Sequence, residues 1–161
     1  MGNSRLTMAE PLTINPRIIE ALYSEALVLA DDVRDAFTLS GRIEEAAGAE
    51  DLARIALSSE GLRTTTRMMH AIAWLLNHRA YFSGELSEFQ LRRHGRLSRD
   101  MRRSDPGQSD ILPIEIRRLV GATERFYDRL LRLDRDWRLR DPGAPSAIAN
   151  LRERLERRIS A

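Results

Sequence analysis

Three histidines, His70, His78 and His94, are the only side chains of this 161-residue chain whose ordinary pKa lies near neutrality, so hydrolytic or metal chemistry would have to be built on them. His70 and His78 are separated by about 12 Å of helical rise, too far to share one ion. A di-iron bundle needs a glutamate three residues before each histidine, and Arg67, Leu75 and Leu91 stand there instead. Neither an HExxH nor a GxSxG run occurs. There is no cysteine, which excludes thiolate nucleophiles, zinc–thiolate sites, iron–sulfur clusters and disulfides. All 26 basic residues are arginine, so a Schiff base, a P-loop lysine, a Ser/Lys dyad and the kinase lysine are excluded as well. The expectation is a protein that is not an enzyme and holds no metal or cofactor.

Charge and apolar surface remain as working material. Residues 1–80 carry 8 Arg against 11 acids, and residues 81–161 carry 18 Arg against 13, so the net charge of +2 hides an electropositive second half. The densest cluster is Arg92, Arg93, Arg96, Arg99, Arg102 and Arg103, with Asp100 its only internal acid. Guanidinium forks suit carboxylates and phosphates alike. Single-stranded nucleic acid also wants aromatic side chains, and none occurs between residues 90 and 103. Read as a site rather than a solvated face with ion pairs, the cluster would bind an acidic protein partner, with nucleic acid the alternative.

These residues must be positioned by helices, since no period-two pattern of a strand occurs. Asn15-Pro16 opens the first helix, and Ile19, Leu22, Ala26, Leu29, Val33 and Phe37 form its stripe. Ser40-Gly41 is expected to close it, leaving residues 40–50 as a loop. A second helix spans 51–82, with a seam of Leu52, Ile55, Leu62, Thr66, Met69, Ala73, Leu76 and Ala80. Ser87 and Gln90 make a capping box for a short basic helix near Glu88 to Arg96. Pro113 opens a third long helix reaching about Arg140, with Ile116, Leu119, Thr123, Phe126, Leu130, Leu133 and Trp137 on its seam. Beyond the Pro/Gly linker that starts at Asp141, Ile148, Leu151, Leu155 and Ile159 make a narrow amphipathic stripe suited to docking.

If the seam of the second helix faces its neighbours, Met68, Ala71, Trp74 and Leu75 fall on its back and flanks. They are then a candidate dimer or partner interface, with Trp74 as the aromatic anchor.

The run Ser58-Ser59-Glu60-Gly61-Leu62-Arg63-Thr64-Thr65-Thr66-Arg67-Met68-Met69-His70-Ala71-Ile72-Ala73-Trp74-Leu75-Leu76-Asn77-His78-Arg79-Ala80 resembles the central helix of the bacterial RcdA-like family, regulators of CtrA degradation. Leu112-Pro113 through Leu133-Asp134-Arg135 resembles that family's third helix. The resemblance covers most of residues 16–140; residues 39–57, the basic run 88–103 and the chain beyond Asp141 depart from it. It implies a small, dimeric helical bundle without enzymatic activity. Such a protein would act as an adaptor that hands transcriptional regulators to the ClpXP protease during cell-cycle progression, together with a priming response regulator.

The expected fold is therefore all-α: three long antiparallel helices with the basic and C-terminal helices packed beside them. Residues 1–13 are expected to be a flexible N-terminus, 14–140 the bundle, and 141–161 a linker and helix. The longest apolar run, Ala71 to Leu76, is far short of the roughly 20 residues of a membrane span, and Glu10-Pro11 interrupt any signal peptide. A cytoplasmic homodimer is expected.

Overall fold

A computed structural model describes residues 14–48, 50–140 and 155. Helix α1 runs from Pro16 to Ala47. The Asn15 side-chain oxygen accepts from the Ile18 N–H at 3.0 Å, and Pro16 occupies the first turn, where a missing N–H costs nothing. The helix continues through Ser40-Gly41, where it was expected to stop. Residues 42–47 are mostly good helix formers, and the left-handed position that closes a helix comes only at Gly48, with φ 63°.

Helix α2, Asp51–Phe82, follows almost at once and runs antiparallel to α1. Arg79 pairs with Glu20 at one end, and Phe37 lies against Gly61 toward the other. The glycine is what admits the ring, since a Cβ there would lie 3.0 Å from it. After α2 come α3 (Glu88–His94), a 3-10 turn (Arg99–Met101), the single turn α4 (Pro106–Ser109) and the long α5 (Ile114–Arg138). The α3 capping box is as expected, with Ser87 and Gln90 bonded reciprocally.

Helix α5 runs parallel to α2, against the expectation of antiparallel neighbours. Arg67 meets Thr123, Trp74 meets Asp134, and His78 meets Trp137, so the residue numbers rise together along both helices. The reason is the connection. Residues 83–113 form no tight turn but travel back along the bundle: Leu91 joins the core cluster that contains Trp137, Ser104 lies beside Glu60, and Leu112 packs with Ala56, Leu57 and Ile116. Helix α5 then starts where α2 started.

All three long helices share the main core. Ile19, Leu22, Ala26 and Val33 of α1 meet Met68, Ala71, Trp74 and Leu75 of α2 and Phe126, Tyr127, Leu130 and Leu133 of α5. Helices α1 and α5 bury the stripes expected of them, while α2 does the reverse. Its expected seam faces outward, and the four residues assigned to an interface are the core. Trp74 is 2% exposed and Leu75 not at all. The inversion has a clear cause: the inward face of α2 also carries Glu60, Thr64, Arg67 and His78, all buried, which breaks its apolar period, whereas the outward face keeps a clean one. Among the described residues there is no strand, and no helix is long and apolar enough to cross a membrane.

Candidate functional site

The polar residues on the inner face of α2 build a ladder that fixes the returning segment. Arg67, fully buried, donates from Nε to the Met101 carbonyl at 2.7 Å, from Nη1 to Thr123 Oγ1 at 2.8 Å and from Nη2 to Ser104 Oγ at 2.8 Å. Ser104 in turn donates its hydroxyl to Glu60 at 2.6 Å, which also accepts from Thr64, and its backbone N–H donates to Glu124 at 2.8 Å. Burial pulls the Arg67 guanidinium below its ordinary pKa, while Glu124 and Glu60 oppose that shift. Tyr127 donates to the Ser98 carbonyl, and burial pushes its phenol up to about 12. The segment 98–104 is thus pinned to α2 and α5 by charge-assisted bonds.

A second cluster closes the far end. The Trp74 indole N–H donates to Asp134 at 3.0 Å, and Arg138 Nε donates to the same carboxylate. Arg92 stacks over the Trp137 ring at 4.5 Å, pairs with Glu88 and donates to the carbonyls of Arg138 and Arg140. His78 lies between Trp74 and Trp137, with Nδ1 3.0 Å from the Trp74 carbonyl and Nε2 buried without a partner. Burial lowers its pKa. His70 and His94 are exposed, and no group of three His, Asp or Glu able to hold a metal occurs among the described residues.

These contacts divide the arginine cluster. Arg92 is spent on α5; Arg102 and Arg103 both bind Asp128, at 2.7 and 2.8 Å. Arg93, Arg96 and Arg99 stay exposed and engage no acid among the described residues. Two of the three, Arg96 and Arg99, reappear on one wall of a groove of about 720 Å³, whose other wall is α5 with Arg132, Arg135 and Arg138. The cluster read from the sequence supplies the near wall, whereas the α5 arginines of the far wall lie outside it. Along α5, Asp134 pairs with Arg138, whereas Asp128 turns to Arg102 and Arg103.

The other distinctive surface is the outward face of α2. Leu52, Ile55, Leu62, Met69 and Leu76 stand on it between 43% and 73% exposed, spaced by three and then by sevens, with Thr66 and Ala73 splitting the last two intervals into four and three. Of the proposed docking stripe, Ile148, Leu151 and Ile159 lie outside the described residues; Leu155 is helical and exposed.

These features define an all-helical protein that presents an uncharged helical seam on one surface and an arginine-lined groove on another. The chain belongs to the family described as "Protein of unknown function (DUF1465)", whose model matches residues 11–159. That family contains RcdA. No curated protein and no solved structure matches the chain.

Proposed function

We propose that the protein is a non-enzymatic adaptor, working as a homodimer in the bacterial cytoplasm, that brings protein cargo to the ClpXP protease primed by a response regulator. The resemblance to the RcdA-like family supplies the protease, the cell-cycle setting and transcriptional regulators as cargo; the family match supports it without naming an activity.

The observation that carries the reading is the outward seam of α2. A soluble chain rarely leaves a line of large aliphatic side chains open along most of a 32-residue helix unless something covers it. Its three/four spacing is that of a coiled-coil seam, which seats against another helix of the same period. A second copy of α2 offers such a helix, whereas the stripes of α1 and α5 are already buried in the core. The dimer is therefore assigned to Leu52, Ile55, Leu62, Met69 and Leu76. An adaptor then keeps its groove free for a second contact, and two micromolar contacts suffice, because tethering raises local concentration to about millimolar.

Reconstituted degradation with ClpXP, its primer and candidate cargo tests the function; a protein that neither binds the primed protease nor speeds turnover of any cargo refutes it. Light scattering tests the dimer. Leu62→Asp with Met69→Asp should give a folded monomer, and a dimer that survives both changes moves the interface elsewhere. Nucleic acid, the alternative ligand of the arginine cluster, gains no support: three of the six guanidinia are engaged within the fold, and no aromatic side chain lines the groove among the described residues.

A further inference from the structure

The groove between residues 96–102 and α5 has an unusual charge balance. Arg96, Arg99 and Arg132 line it and make no ion pair among the described residues, while Asp128 and Asp134, the acids in its wall, are already taken by Arg102, Arg103 and Arg138. Arg138 also keeps its Nη2 shielded from solvent without an acceptor. Three guanidinia with no counter-ion, converging on one concavity beside satisfied acids, leave a local excess of positive charge that a ligand would neutralise.

Shape narrows the ligand. Along α5 the wall runs from Asp128 to Leu139, about 16 Å at 1.5 Å per residue. That length accepts about five residues of extended peptide. The lining is not wholly polar: Leu97, buried, and Leu131, partly buried, lie among the arginines. A nucleic acid strand would find no ring to stack on and would bring phosphates close to two carboxylates. A peptide that alternates acidic and apolar side chains meets both the cations and the leucines. The wall is also firm, since the ladder around Arg67 and the Tyr127–Ser98 bond hold residues 98–104 in place before any ligand arrives, which reduces the ordering cost of binding.

We propose that this groove is the docking site for an extended acidic segment of a partner protein, with carboxylates on Arg96, Arg99 and Arg132 and an apolar side chain against Leu97 and Leu131. The proposal deepens the adaptor reading by naming the chemistry of one partner, and it is tested without the protease, so that the two fail separately.

The probe is a fluorescent peptide of about eight residues alternating glutamate and leucine, compared with its arginine-for-glutamate counterpart and with a short oligothymidylate, by anisotropy on the full chain at about 0.1 M salt. The acidic peptide should bind with micromolar Kd and the basic one should not. Arg96→Ala, Arg99→Ala and Arg132→Ala together should weaken binding at least about 30-fold, because charge-assisted forks are lost at the contact. A control that removes the same charge elsewhere, Arg17→Ala, Arg42→Ala and Arg54→Ala, none of which lines the groove, should change it less than about threefold, since distant exposed charges are screened. Equal losses in the two triple variants would reduce the effect to net charge and overturn the proposal. So would tighter binding of oligothymidylate than of the acidic peptide, or no binding of the acidic peptide below millimolar. Unchanged circular dichroism in both variants excludes misfolding as the cause.

Discussion

Arg67→Met should destabilise the protein by about 3 to 5 kcal/mol. The guanidinium makes three hydrogen bonds, to the Met101 carbonyl, Thr123 and Ser104, and lies 3.7 Å from Glu124. Bonds to a charged group contribute about 1.5 to 3 kcal/mol each, so the gross loss is about 5 to 9. Removing a cation that is desolvated in the fold returns several kcal/mol, roughly half of that loss. Glu60, 1% exposed and bonded only to the Thr64 and Ser104 hydroxyls, then loses the nearby positive charge. At about 2 to 4 °C per kcal/mol, the melting midpoint should fall by about 10 °C. Urea unfolding followed by circular dichroism gives the energy, and amide exchange over residues 98–104 locates it, since that segment should lose protection first. Adding Glu60→Gln should recover about 1 kcal/mol, because it removes the stranded charge. A loss below about 1 kcal/mol with residues 98–104 still protected would show that the ladder does not hold the segment.

Two further perturbations test the fold. His78 has its pKa depressed by burial, with Asp134 and Arg138 acting on it in opposite senses, so the folded state takes up its proton less readily than the unfolded chain. Stability is therefore complete above about pH 6.5 and declines as the pH falls from there toward the folded value; His78→Phe should flatten this slope in unfolding measurements between pH 7 and 5, and an unchanged slope would assign it to other groups. Gly41→Ala, inside α1 with open space around it, should stabilise by about 0.5 to 1 kcal/mol, whereas Gly48→Ala, in the left-handed position, should cost about 1 to 2; opposite signs in urea unfolding are the check, and two gains would mean the helix ends at neither glycine.

The stripes of α1 and α5 were legible because apolar side chains carry them: Ile19, Leu22 and Val33, then Ile116, Phe126 and Leu130, are buried as their spacing implies. Helix α2 reversed that logic. Its inner face buys three-way connection to α5 and the returning segment with Glu60, Thr64 and Arg67, groups that hydropathy marks as outward, and only the tertiary hydrogen bonds show that they are satisfied. Met68, Ala71, Trp74 and Leu75 were consequently placed outside when they are the centre. The arginine cluster was visible as a charge density but not as two populations, since Asp128 and the end of α5 are 25 or more residues away in sequence from the cations they engage. The parallel course of α5 was hidden for a related reason. Hydropathy period says how a helix is buried, not how far a 31-residue connection travels before the next one begins.

That connection divides the molecule kinetically. Helices α1 and α2 are joined through residues 48–50 and meet as a hairpin of largely local contacts, the kind that forms early. Helix α5 can join only after residues 83–113 have closed a loop, an entropic cost of about 3 kcal/mol plus a constant that the first contacts must overcome. On the ribosome, α1 and α2 would emerge and pair while the chain that covers Trp74 and Arg67 was still being made. The nascent hairpin would then expose apolar surface on both sides of α2 at once, the core face awaiting α5 and the outward seam of Leu52, Ile55, Leu62, Met69 and Leu76.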